Sequence, residues 1–208
     1  MPVGPASQAL LRATLGRVVP TVVIVSGAPR AGTSLMMQML EAGGTPPLAD
    51  GARAADAGNP RGYYELEAVK RLPDDAGWLA QAAGRAVKVV YARARSLPEG
   101  PRYRVLWMER DLSEVVRSQR ALLAGMGREP EDDLSDARVA EVLGQQLEEV
   151  ARALDGRADV ERLVVRHADL IAAPLSEAER VDRFLGGGLA VAAMAARVDP
   201  ALYRIRAR

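Results

Sequence analysis

The sequence predicts an α/β fold in which a central parallel sheet is flanked by helices on both faces, a three-layer sandwich. Three observations predict it. Residues 21–26 are a continuous, largely β-branched run (Thr-Val-Val-Ile-Val-Ser), the pattern of a strand buried on both faces. That run passes directly into a loop bounded by Gly27 and Gly32 and then into an apolar segment of helical length. Further downstream, β-rich runs alternate with segments of helical periodicity, as a parallel sheet with crossover helices requires.

In chain order, residues 7–19 read as a short amphipathic helix with Leu10, Leu11 and Leu15 on one side. After the strand at 21–26, a helix is expected over 33–42, closed by Gly43 and Gly44 and then by Pro46 and Pro47. Residues 48–62 are rich in Gly, Asp, Asn and Pro and read as loop. Helical pieces are expected over 63–72 and 78–83, and strands over 86–91 and 103–108. Residues 112–124 set Val115, Val116, Gln119 and Leu122 close to helical spacing. The polar stretch 125–133 reads as solvated loop, with a mobile lid over a substrate as its functional alternative. Ser135 or Asp136 can cap a long helix running to Leu154, with Val139, Val142, Leu143, Leu147 and Val150 as its apolar stripe. A fourth strand is expected over 161–166, then closing helices over 176–185 and 189–197 around three consecutive glycines. The tail at 203–208 is basic. One domain spanning residues 1–208 accommodates all of these elements and is large enough for one substantial core.

Composition narrows the function classes. A net charge of +1 supplies no global field for nucleic acid or an anionic membrane. The absence of cysteine removes disulfide frameworks and thiolate zinc sites, and a single histidine, His167, leaves no histidine-rich metal centre. Arg12 and Arg17 interrupt what would otherwise be the apolar core of a signal peptide, and no apolar run reaches bilayer-spanning length. The expectation is a cytoplasmic protein that binds neither membrane nor nucleic acid and needs no metal.

Gly27 and Gly32 have the spacing of the glycines in the phosphate-binding loop G-x-x-x-x-G-K-[ST], which sharpens the fold class to P-loop NTPase-like. Such a loop aims backbone amides and a helix N-terminus at an anion. The position after the second glycine holds Thr33 rather than lysine, and the nearest fixed cation is Arg30. Without the lysine that reaches β- and γ-phosphates, the loop points to a phosphate ligand other than ATP or GTP.

The segment Pro29-Arg30-Ala31-Gly32-Thr33-Ser34 resembles, at every position, the 5′-phosphosulfate loop P-[KR]-[SA]-G-T-[ST] of sulfotransferases. These enzymes use 3′-phosphoadenosine 5′-phosphosulfate (PAPS) as donor. The stretch 104–111, ending in Arg110-Asp111 and followed by Glu114 and Ser118, is similar to the family's 3′-phosphate motif R-D-x-x-[DE]-x-x-x-S. Asn59-Pro60-Arg61-Gly62-Tyr63-Tyr64-Glu65 resembles the N-P-[KR]-G-[FY]-[FY]-E segment of bacterial members. His167-Ala168-Asp169-Leu170 followed by Pro174 is similar to the element Y-E-D-L-x-x-x-P.

The resemblance implies roles for these residues. The amides of Ala31, Gly32, Thr33 and Ser34 would cradle the 5′-phosphate, and Arg30 would stabilise the bridging oxygen as it becomes an anion. Arg110 and Ser118 would bind the 3′-phosphate. Lys88, set in an otherwise apolar strand, would face the transferred sulfuryl group. Animal members place a catalytic histidine in a K-x-H-L-P sequence, but Val90 occupies that position here, so Glu65 is the preferred base. The catalytic set is then Arg30, Glu65 and Lys88, the product nucleotide is 3′,5′-ADP, and His167 is a structural residue. The acceptor, a small molecule, carbohydrate or peptide, and the oligomeric state are not legible. Two alternatives stay open: a P-loop nucleotide kinase or NTPase with Thr33 or Ser34 on Mg²⁺, and a non-catalytic nucleotide-binding protein of the same fold.

Overall fold

In the computed structural model of the chain, the described residues are 21–52, 59, 61–128 and 134–203. The helix expected over 7–19, most of the acidic stretch before Leu134 and the tail beyond Tyr203 lie outside them. Four strands make one all-parallel sheet: β1 (Thr21–Gly27), β2 (Ala86–Lys88), β3 (Arg102–Glu109) and β4 (Val160–Arg166). Their spatial order is β2-β1-β3-β4. The register aligns Val25 with Lys88, Gly27 with Met108, and Met108 with Val165.

The helices are α1 (Thr33–Ala42), α2 (Tyr91–Ala94), α3 (Leu112–Gly125), α4 (Asp136–Asp155), α5 (His167–Ala172), α6 (Pro174–Leu185) and α7 (Val191–Ala195). Asp111 caps α3 by accepting from the Glu114 amide, and Ser135 caps α4 by accepting from the Arg138 amide. The first expectation for α4, Ser135 as its cap, therefore holds.

Strand periodicity divides the core into the two layers of apolar contact that a sandwich needs. Val25, Leu106 and Met108 face Met36, Met37 and Leu40 of α1, Val181 of α6 and Met194 of α7. Val22, Ile24, Val105 and Trp107 face the other way, against Leu72, Trp78 and Leu154. Burying each such side chain contributes about 1.5–3 kcal/mol, so the sheet is held from both sides, as the unbroken β-branched run of β1 requires.

The departures from the expected elements are local. The strand expected over 86–91 ends at Lys88, and Tyr91 opens α2 instead. The helical pieces expected over 63–72 and 78–83 are short 3₁₀ turns, Glu67–Arg71 and Gly77–Gln81. The last helix is Val191–Ala195 rather than 189–197, and α5 was not expected. Single-turn elements carry too few residues to display a periodicity.

Candidate active site

From β1 the chain crosses to β2 on one side and then returns past β1 to β3 on the other, so the sheet reverses its winding between β1 and β3. Open α/β sheets bind ligands at the carboxyl ends of the strands at such a switch point. A cavity of 760 Å³ opens at this edge. Each strand delivers a residue to its wall: Gly27 ends β1, Lys88 ends β2, Arg110 follows β3 and His167 follows β4.

The β1–α1 loop is built by backbone necessity. At Gly27, a Cβ would run into the carbonyl oxygen of Met108 on the neighbouring strand, and φ is +141°. Gly32 has φ +99°, and a Cβ there would stand 2.8 Å from Cδ2 of His167. Gly32 is also the N-cap of α1 and supplies no side-chain cap, so the first turn's amides stay available to a ligand. Between the glycines, Arg30 holds φ +74°, a left-handed conformation costly for a branched-out side chain and characteristic of functional sites.

Arg30, Arg110 and Ser118 lie together on the cavity wall, with Arg30 as the link between the other two. The Arg30 Nε donates to Ser118 Oγ at 3.0 Å, and Arg110 Nη1 donates to the Arg30 carbonyl at 3.0 Å. Arg110 does not pair with Asp111, its sequence neighbour, which is committed to capping α3. Its Nε instead donates to Glu114 Oε2 at 2.7 Å, with the two side chains only 10% and 3% exposed. Glu114 also accepts from the Tyr203 hydroxyl at 2.6 Å. The Tyr203 ring lies 5.1 Å from the Arg110 guanidinium and 4.9 Å, edge-on, from the His167 ring.

His167 is buried, as a structural histidine should be, but its Nδ1 has no hydrogen-bond partner. Burial, with the Arg110 charge in support and Glu114 in opposition, pushes its pKa down to about 4. The ring is therefore neutral at neutral pH and lines the cavity as an uncharged group.

Lys88 points into the cavity, donating to Ser34 Oγ at 3.2 Å and to the Tyr63 carbonyl at 2.9 Å. Glu65 lines the same cavity, with its side chain 21% exposed and Lys70 Nζ 3.8 Å from its carboxylate. Asn59, six residues before Glu65, donates from Nδ2 to the Ser34 hydroxyl at 2.9 Å. Of the nine predicted site residues, Arg30, Gly32, Thr33, Ser34, Glu65, Lys88, Arg110 and Ser118 line one cavity, whereas Ala31 is buried and its amide, expected to face a phosphate, donates to the Ala28 carbonyl at 3.1 Å within the loop. Among the described residues, no group of three or more His, Asp or Glu is placed to hold a metal ion, and no helix is long and apolar enough to cross a membrane.

Sequence reasoning missed three contacts: Arg110 with Glu114, Tyr203 with Glu114, and Arg61 with Asp199. Glu114, in the first turn of α3, stands four residues after Arg110, which precedes the Asp111 cap, and pairs with it across that cap. Tyr203 meets Glu114 across 89 residues of sequence, and Arg61 meets Asp199 at 3.2 Å across 138. No local pattern announces either contact.

No protein-family model matches the sequence, and no curated protein matches it. Solved structures do. A sulfotransferase domain from the curacin biosynthetic pathway superimposes with a TM-score of 0.50 at 15% identity, covering 88% of this chain and 77% of that one. A sulfotransferase from Alicyclobacillus acidocaldarius does so with a TM-score of 0.50 at 17% identity, covering 82% of this chain and 83% of that one. At such low identity the likeness is one of fold.

Proposed function

The chain has the fold of a sulfotransferase domain, and we propose that it works as one. In this reading it moves a sulfuryl group from PAPS to the hydroxyl or amine of a small-molecule, carbohydrate or peptide acceptor. The observation that carries the reading is the convergence, in one cavity at the switch point, of the glycine loop with Arg30 and of Arg110 with Ser118. An amide-lined loop without a P-loop lysine suits a 5′-phosphosulfate. A second cationic subsite beside it suits the 3′-phosphate, which distinguishes this donor from ordinary adenine nucleotides.

The reaction asks for positioning and charge stabilisation, as phosphoryl transfer does. The acceptor oxygen or nitrogen attacks sulfur, and the bond from sulfur to the bridging phosphate oxygen breaks. That oxygen leaves as part of 3′,5′-ADP, its new negative charge met by Arg30 and by the amides of the loop. Lys88, anchored at 2.9 Å on the Tyr63 carbonyl, offers a cation to the sulfuryl oxygens in flight. The acceptor's proton passes to the Glu65 carboxylate. No metal ion enters any step.

A thermal-shift panel tests the reading. Stabilisation by 3′,5′-ADP beyond that by ADP, or by ATP with Mg²⁺, is expected, since a ligand of the native state raises the melting temperature by mass action. Metal-dependent preference for ATP would make the chain an NTPase or kinase. The absence of any response would make it a protein that keeps the fold without the donor site.

A further inference from the structure

We propose that Asn59 is a positioning residue: together with Lys88 it fixes the Ser34 hydroxyl as a hydrogen-bond donor into the cavity. A serine hydroxyl has one proton to donate and two lone pairs with which to accept. Both lone pairs of Ser34 Oγ are engaged, by Asn59 Nδ2 at 2.9 Å and by Lys88 Nζ at 3.2 Å. Both partners can only donate. An ammonium has no lone pair. The orientation of the Asn59 amide is settled by its second contact, because the same nitrogen donates to the Gly62 carbonyl oxygen at 2.6 Å, where the amide oxygen would be repelled.

The Ser34 proton is therefore left to point elsewhere, and Ser34 lines the cavity in the first turn of α1. Its hydroxyl adds a directed donor to the backbone amides of the loop, aimed at an anionic oxygen of a ligand seated there. Asn59 reaches this position because it closes a turn onto Gly62, whose φ of +92° brings the chain back toward the glycine loop. Tyr63 and Glu65 follow directly after this turn, so one side chain ties the proposed acceptor side of the cavity to the hydroxyl on its donor side. That the ligand is a nucleotide rests on the reading above; the polarity of the hydroxyl does not.

The test is a double-mutant cycle read by calorimetric titration with 3′,5′-ADP and, separately, with inorganic phosphate. Asn59→Ala frees a lone pair and lets the hydroxyl rotate. Asn59→Asp goes further, since its carboxylate must accept from Ser34 and turn the proton away from the cavity. Each is measured in the Ser34 background and in Ser34→Ala, so that added charge or a loosened turn, which act in both backgrounds, cancel. In the Ser34 background the loss of affinity should exceed that in Ser34→Ala by about threefold to tenfold, the worth of one directed hydrogen bond. The Asn59→Asp excess should be the larger of the two. Equal losses in both backgrounds, with either anion, would overturn the positioning role and leave Asn59 a structural residue of the turn. Coupling seen with phosphate while the parent ignores 3′,5′-ADP would overturn the nucleotide reading and keep the positioning role. A parent that binds neither anion would overturn both.

Discussion

The two sides of the cavity are built by different means. The side that carries the glycine loop is set largely by backbone: the sheet register holds Gly27 against Met108, Gly32 has no room for a Cβ beside the His167 ring, and Arg110 is held by the Arg30 carbonyl as well as by Glu114. The side that carries Glu65 is set by side chains reaching across: Asn59 to Ser34, Lys88 to the Tyr63 carbonyl, and Arg61 to Asp199. Backbone-built sites are rigid and tolerate little, because each substitution meets a neighbouring main chain. Side-chain-built sites can be retuned residue by residue. In the function proposed above, the donor would sit on the rigid side and the acceptor on the adjustable one.

The sharpest test of this division is on the adjustable side. Glu65→Gln should fold normally and bind 3′,5′-ADP normally, while sulfuryl transfer in a single-turnover assay with labelled donor falls by roughly two to four orders of magnitude. Near-parental transfer would move the base to another carboxylate, with Asp169 and Glu67 next in line. A collapse of the melting temperature would instead make Glu65 part of the scaffold and erase the contrast between the two sides.

Arg30 comes second, because it belongs to the rigid side and its proposed partner is charge that develops during transfer. Arg30→Ala should depress turnover by a larger factor than nucleotide affinity, since its proposed partner is the leaving oxygen. Arg30→Lys should retain part of the activity. Equal losses in turnover and affinity would make Arg30 a ground-state binding residue, and parental turnover of both variants would remove its role.

A third expectation concerns stability rather than chemistry. His167 is neutral in the fold, with a pKa pushed down to about 4 by burial, against an ordinary value of 6.5. The unfolded chain takes up its proton as pH falls below the ordinary value, while the folded chain does so only near the lowered one. The parent should therefore lose stability as pH falls from 6.5 to about 4, by a total of about 3 kcal/mol from this group. His167→Phe, which cannot titrate, should show a flatter profile across that window in denaturant unfolding at stepped pH. An unchanged slope would assign the loss to carboxylates such as Asp111 and Asp155, whose pKa values are held down by hydrogen bonds from Ser113 and Arg162.

The rigid side is also the one that could be read from the sequence. Residues 21–34 announce strand, turn and helix because the three elements follow one another in sequence, although the neighbours that demand glycine, Met108 at Gly27 and His167 at Gly32, lie far along the chain. Arg110 was legible because Arg110-Asp111, with Glu114 and Ser118 downstream, resembles the motif R-D-x-x-[DE]-x-x-x-S at the end of an apolar strand. The adjustable side was only partly legible. The sequence names Asn59, Glu65 and Lys88, but which of them touch depends on the turn at Gly62 and on a strand that stops at Lys88, where Tyr91 begins a helix. The Tyr203–Glu114 and Arg61–Asp199 contacts were illegible for a different reason: they join segments far apart in sequence, with no shared periodicity to reveal them.

Arg110 is where the account is most exposed. Its guanidinium is already shared with Glu114, so its value to a 3′-phosphate rests on the ligand, not on an idle charge. Calorimetric titration of the parent and of Arg110→Ala, each with 3′,5′-ADP and with ADP, measures that value directly. Loss of the buried ion pair weakens the fold for both ligands alike, so the ratio of the two affinities carries the result. The parent should prefer 3′,5′-ADP, and Arg110→Ala should surrender about 1.5–3 kcal/mol of that preference, the worth of one charge-assisted contact. Equal losses for the two nucleotides would contradict the assignment of this cavity to a 3′-phosphorylated donor.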